Sequence, residues 1–159
     1  MKILYLGTKK GAGLQEYLVL KKVYKKVDLI DPYKSFILPN IYNKIFVHIS
    51  PKIFQPIINQ YILSKIKKSY DLIFVRNGET IGKSLILKLK KETNKIIFLC
   101  VDNPFVSRDK QRFKLCLPAL KHYDLIIFQQ ASRIRLSKKY SVKKKLFILP
   151  YYNKKIHCS

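Results

Sequence analysis

Short apolar runs, unbroken except for Asp28 in the second, alternate along this chain with longer stretches in which apolar residues recur at helical spacing. Ile3–Leu6 is the first run and ends at Gly7. Val27–Ile30 ends at Asp31-Pro32, Leu72–Val75 at Arg76-Asn77-Gly78-Glu79, and Ile96–Val101 at Asp102-Asn103-Pro104. Leu125–Phe128 and Leu146–Leu149 follow. Runs of this length without polar alternation predict strands covered on both faces. Between them, helices are predicted over Leu14–Lys26, Lys52–Lys68, Lys83–Glu92 and Asp109–His122, with a short basic helix over Ser132–Tyr140. In the second of these, Ile53, Phe54, Ile57, Ile58, Tyr61, Ile62 and Ile66 fall on one predicted face, and Pro56 belongs in the first turn. The stretch Tyr33–Ser50, with Pro39 and a mixed run at Ile45–Ile49, fits neither period.

Strands separated by helices require right-handed crossovers, and so a mainly parallel sheet. The expected fold class is α/β, a Rossmann-like three-layer sandwich of about six strands. Residues 1–150 form that domain, and 151–159 read as a tail or the start of an interdomain linker. In such a sheet, ligands sit beyond the carboxyl ends of the strands, where strand order reverses. That rule selects three loops. In the first, Gly7, Gly11 and Gly13 let backbone N–H groups approach an anion at the start of a helix, although the spacing is not that of a dinucleotide or Walker loop. The competing account is a plain strand-to-helix turn. The second loop, Arg76-Asn77-Gly78-Glu79, sets a charged pair beside a glycine, as a ligand grip or as an ordinary turn with a solvated ion pair. The third offers Asp102 and Asn103, with Arg108 close behind. Asp102 is a candidate base or sugar-hydroxyl acceptor, set against a simple turn cap.

Charge and cysteine usage refine this picture. Lys and Arg number 33 against nine Asp and Glu, a net charge of +24. An anionic surface is the natural partner of such a chain, although AT-rich codon usage would also enrich Lys, Ile, Asn and Tyr. Nucleic acid is the weaker option, because no helix-turn-helix, RNA-recognition or zinc-finger signature is present. Cys100, Cys116 and Cys158 are widely spaced, and His48, His122 and His157 are scattered, so neither a metal site nor a catalytic pair is suggested. Cys100 reads as a small core residue. The first apolar run is too short for a signal-peptide core, and no run approaches the roughly 20 apolar residues of a membrane span.

Four segments then suggest a family. Tyr70-Asp71-Leu72-Ile73-Phe74-Val75-Arg76-Asn77-Gly78-Glu79 resembles a stretch of GT-B-type, group 1-like glycosyltransferases of the spore-maturation (CgeB-like) kind. Asp102-Asn103-Pro104-Phe105 is similar to that group's Asp-Asp-Pro-Phe, with Asn103 in place of the second Asp. Tyr123-Asp124-Leu125-Ile126-Ile127-Phe128 resembles a second strand of the same type, and Leu149-Pro150-Tyr151-Tyr152 through His157 the handover to a second domain. The resemblance implies the acceptor-side domain of a glycosyltransferase, without the domain that holds the nucleotide-sugar donor. No cofactor is then expected on this chain; the nucleotide-sugar comes only with a second domain or subunit. The implied partner is a glycan or lipid-linked acceptor. Asp102 and Glu79 are the implied catalytic or acceptor-contacting acids, and Gly7, Gly11, Gly13, Arg76, Asn77, Gly78, Asn103 and Arg108 the implied cleft. The isolated chain is expected to be inactive, and to lie in the cytoplasm or on the inner face of an anionic membrane. The alternative is a non-catalytic basic module for nucleic acid or a membrane surface.

Overall fold

A computed structural model describes residues 1–35, 49 and 51–148. The strands are β1 (Lys2–Leu6), β2 (Lys26–Ile30), β3 (Leu72–Arg76), β4 (Ile96–Cys100), β5 (Leu125–Phe128) and β6 (Lys145–Phe147). Each coincides with an apolar run to within two residues. They form a single six-stranded sheet in the order β2-β1-β3-β4-β5-β6. Every pairing is parallel. The fold is therefore the expected Rossmann-like α/β sandwich, with the order reversing at β1, between β2 on one side and β3 on the other.

The reversal decides which layer each helix joins. A right-handed crossover that steps one way along the sheet lies on the opposite face from one that steps the other way. Helix α1 (Gly11–Val23) joins β1 to β2 and is alone in its direction. Its Tyr17 and Leu20, with Tyr24, cover Ile3, Tyr5 and Val27. The helices of the later crossovers share the other face: α2 (Gln55–Lys65), α3 (Lys83–Leu89), α4 (Lys110–Phe113) and α5 (Ala131–Leu136). They bury the larger core, in which Leu4, Val75, Phe98 and Ile126 of the central strands meet Ile58, Ile62, Leu85, Ile86 and Phe113. No helix among the described residues is long and apolar enough to cross a membrane.

Two helical expectations need correction. The Lys52–Lys68 stretch opens as a 3-10 turn at Pro51–Phe54 and becomes α-helical only over Gln55–Lys65, with Pro56 in the first turn. Its buried side is Ile58, Asn59 and Ile62, while Ile53 and Ile57 are 70% and 51% exposed. The apolar arc is wider than the contact, and Ile53 precedes the α-helical turns that would have aligned it with Ile57. The Asp109–His122 stretch is not one helix but a 3-10 turn at Ser107–Asp109, α4, and a 3-10 segment at Leu117–His122. Pro118 lacks the N–H that a continuing α-helix needs and crowds the carbonyl four residues back. Phe113, Cys116 and Ala119, one from each of α4, the turn after it and the 3-10 segment, are all fully buried, so the broken stretch still packs one side into the core. Of the untyped stretch, Tyr33–Ser35 belongs to a 3-10 turn at Pro32–Ser35; residues 36–48 and 50 lie outside the described residues, as do 149–159 with the handover-like segment and Cys158.

The buried side of α2 can be tested by urea unfolding. Ile62→Ala is expected to cost about 2 to 5 kcal/mol, as for a core truncation. Ile57→Ala, at an exposed position, should stay within about 0.5 kcal/mol.

Candidate ligand site at the sheet rim

The loops after β1, β2, β3 and β4 meet along one rim and enclose a cleft of about 300 Å3. Gly7 and Thr8 come from the first loop, Pro32 and Tyr33 from the second, Arg76, Asn77, Glu79, Thr80 and Ile81 from the third, and Asp102 from the fourth. Arg112 of α4 closes the far wall. The cleft lies where strand order reverses, as expected for a parallel open sheet.

Asn77 and Gly78 shape the third loop. Both have positive φ, 61° and 43°, so the chain reverses sharply as it leaves β3. Asn tolerates this left-handed region better than most residues. A Cβ on Gly78 would lie 2.7 Å from Cε2 of Phe98, so glycine is required for space as well as for φ. The Asn77 backbone N–H donates to the Leu99 carbonyl at 2.9 Å, which continues the β3–β4 ladder by one step. Its side chain then makes a reciprocal pair of bonds with Asp102. Nδ2 donates to Asp102 Oδ2 at 2.6 Å, and the Asp102 backbone N–H donates to Oδ1 at 3.1 Å.

Two carboxylates of the cleft have different surroundings. The Glu79 side chain is only 4% exposed. It accepts a hydrogen bond from the Tyr33 hydroxyl and another from Arg112 Nη2 at 2.8 Å. Burial, followed by the adjacent Glu79 charge and hydrogen bond, pushes the Tyr33 phenol well above its ordinary pKa, so it stays a donor. Burial opposes the charge of Arg112, but the Glu79 carboxylate outweighs it and raises the guanidinium's pKa. Arg112 also reaches Asp102 Oδ2 at 3.3 Å, and the Asp102 side chain is 42% exposed. Glu79 is thus a buried anchor for Tyr33 and Arg112, and Asp102 is the carboxylate that opens to solvent.

The remaining sequence candidates separate. Arg76 and Glu79 do not pair with each other. Arg76 Nε donates to Glu16 of α1 at 2.9 Å, and the Tyr5 hydroxyl donates to the same carboxylate oxygen at 2.7 Å. Gly7 lines the cleft, whereas Gly11 and Gly13 are set back from it. Gly11 has φ +56, and a Cβ on Gly13 would lie 2.5 Å from Thr8 Oγ1, so both shape the turn into α1. Asn103 Oδ1 accepts the Phe105 N–H at 3.1 Å and holds the turn after β4. Arg108 falls in the Ser107–Asp109 turn, and its side chain is outside the description. Asp31 accepts the backbone N–H groups of Lys9 and Tyr33, both at 3.0 Å, and so ties the first two loops together. Cys100 is buried as expected, and burial pushes its thiol up to about 12.

Sequence reasoning missed Tyr33, Arg112 and Arg133. Tyr33 opens the stretch that fits neither period, and Arg112 sits in a segment taken for one continuous helix. Arg133 belongs to the segment that reads only as a short basic helix, Ser132–Tyr140, yet it is buried. Its Nη1 donates to the carbonyls of Cys100, Val101 and Asp102 at 3.1, 2.5 and 3.1 Å. It therefore fixes the backbone under Asp102. No local signal singles it out: Arg suits several fixed acceptors at once, but Arg135, two residues on, is exposed.

Arg112→Gln should leave Glu79 buried without its cation and cost about 2 to 3 kcal/mol in urea unfolding, less than for a fully buried pair because Arg112 reaches solvent. The Glu79→Gln/Arg112→Gln double variant should recover part of that loss. Iodoacetamide applied to the native protein at about pH 8 should leave Cys100 and Cys116 unlabelled by mass spectrometry, with labelling after denaturation. Both thiols are buried, and burial is the leading cause that raises each of them.

The chain matches no protein-family model, no curated protein and no solved structure.

Proposed function

We propose that this chain is the acceptor-binding half of a GT-B-type glycosyltransferase. In this role it holds a glycan or lipid-linked acceptor in the rim cleft while a second domain or subunit supplies the nucleotide-sugar. The observation that carries the proposal is Asp102, an open carboxylate held by Asn77 and Arg112 at the strand-order reversal of a parallel sheet. Two of the segments that resemble the family, residues 70–79 and 102–105, contribute Arg76, Asn77, Glu79 and Asp102 to the cleft lining.

The chemistry follows from this arrangement. An acceptor hydroxyl donates a hydrogen bond to Asp102. As its oxygen bonds to the anomeric carbon of the donor sugar, the bond from that carbon to the nucleoside diphosphate breaks, and the hydroxyl proton passes to the Asp102 carboxylate. Arg112 and Asn77 hold that carboxylate in place, and Glu79 holds Arg112 and Tyr33. Placement of two substrates in line contributes much of the rate in such a reaction, so the acceptor held here must meet a donor held beside it. The net charge of +24 suits work beside an anionic membrane surface, where each near-surface Lys or Arg contributes about 1 kcal/mol.

A saturation-transfer NMR screen of simple glycosides against the full chain tests this. At least one glycoside should bind, and Asp102→Asn should weaken it by about tenfold, roughly 1.4 kcal/mol, while Glu92→Gln at the opposite end of the sheet leaves it unchanged. A panel in which no glycoside saturates, or in which both variants behave alike, overturns the proposal.

A further inference from the structure

A second cleft, of about 520 Å3, runs along the β2 edge of the sheet, between β2 and the last turns of α2. Its wall toward the rim is shared with the first cleft. Thr8, Pro32 and Tyr33 face the first, and their chain neighbours Lys9, Asp31 and Lys34 face the second. Lys65 of α2 and Lys67 of the following loop complete the charged lining, together with Lys68.

The balance of charge in this cleft is one-sided. Its two carboxylates already have partners. Asp28 receives Lys68 Nζ at 2.8 Å and the Tyr70 hydroxyl at 2.9 Å. Asp31 receives the Lys9 and Tyr33 backbone N–H groups. Lys9, Lys34, Lys65 and Lys67 are all exposed, and none has a carboxylate partner among the described residues. Edge strands are often guarded by lysines that project from the edge itself. These four do not come from β2, whose own lysine is Lys26; they converge from two loops, a helix end and a connection. The Tyr61 hydroxyl adds a neutral donor, because burial and then the nearby Asp31 charge raise its pKa.

We propose that this cleft is a binding site for a phosphate-bearing ligand, either a free phosphate compound or the headgroup of an anionic lipid. Converging lysines without an arginine favour phosphate over carboxylate. Lysine ammonium groups act as compact point charges that several phosphate oxygens can share, whereas planar carboxylates are matched best by the guanidinium fork. The site does not depend on the sugar-transfer proposal, since its residues and ligand chemistry are separate from those around Asp102.

Two probes applied to the full chain at about 0.15 M salt distinguish the sources. They are inorganic pyrophosphate, followed by NMR of backbone amides, and vesicles of phosphatidylcholine with or without phosphatidic acid, followed by co-sedimentation. Lys65→Gln/Lys67→Gln is compared with Lys138→Gln/Lys139→Gln, which removes the same charge elsewhere on the surface. The expected result is saturable binding of at least one probe, weakened by about tenfold in the cleft double variant and by less than about twofold in the control. Saturation by pyrophosphate with shifts at Lys9 and Lys34 assigns a free phosphate ligand. Binding only to vesicles that contain phosphatidic acid assigns a lipid headgroup. Equal loss in both double variants, an RNA oligonucleotide that competes equally well against either variant, or no binding of either probe overturns the proposal. Circular dichroism of both double variants should match the parent, because all four substituted lysines are exposed.

Discussion

The paired hydrogen bonds between Asn77 and Asp102 join the ends of two neighbouring parallel strands, and the rim cleft depends on them. Parallel neighbours emerge in register, so the chain leaving β3 and the chain leaving β4 start side by side. Without a tie, each would follow its own helix away from the rim. Asn77 supplies the tie through a left-handed backbone that aims its amide sideways, with Gly78 behind it lying against Phe98. Arg133 adds to the support by gathering three successive carbonyls, from the last residue of β4 to Asp102. Asp102 is therefore held through both its backbone and its side chain while one edge of the carboxylate stays open. This combination is what a binding group needs, because positioning by rigid neighbours lowers the cost of ordering it when a ligand arrives.

A chain with nine acidic side chains and a net charge of +24 has few anions to place, and most of them have structural partners. Glu16 holds Arg76 and Tyr5, Asp28 holds Lys68 and Tyr70, and Glu79 holds Arg112 and Tyr33. Asp124 takes Lys90 and the Ile96 N–H, which ties the start of β4 to the start of β5. The cations outnumber them, so most lysines remain as solvated charge. The second cleft differs from that background in one respect: its lysines converge on a concave surface instead of spreading over a convex one. Low-dielectric walls around a concave surface focus the field, which makes such a place more selective than net charge alone.

Much of the site's location was legible along the chain, and less of its chemistry. The turns after Leu6, Val75 and Val101 were identifiable because an unbroken apolar run that stops at Gly, Arg or Asp reads as a buried strand reaching the sheet rim. Gly7, Arg76, Asn77, Glu79 and Asp102 all line the cleft for that reason. The roles within the cleft were not legible. Glu79 and Asp102 have similar side chains and similar loop positions, yet one is buried beneath Arg112 and the other opens outward. Gly11 and Gly13 read equally as anion-binding glycines or as turn glycines, and what they do in the fold is permit a tight turn into α1.

The sequence by itself determined the layer order of this protein. Five unbroken apolar runs and a sixth interrupted only by Asp28, separated by helical stretches, leave little choice but a parallel sheet with helices on both faces, because short-range periodicity decides which side chains leave water. Tertiary structure alone decided which carboxylate is open, which arginine is buried and which lysines converge. Those properties depend on where residues distant in the chain come to rest, such as Tyr33 beside Glu79 and Arg133 beneath Asp102. No local pattern encodes the desolvation and pairing that set the character of a charged group.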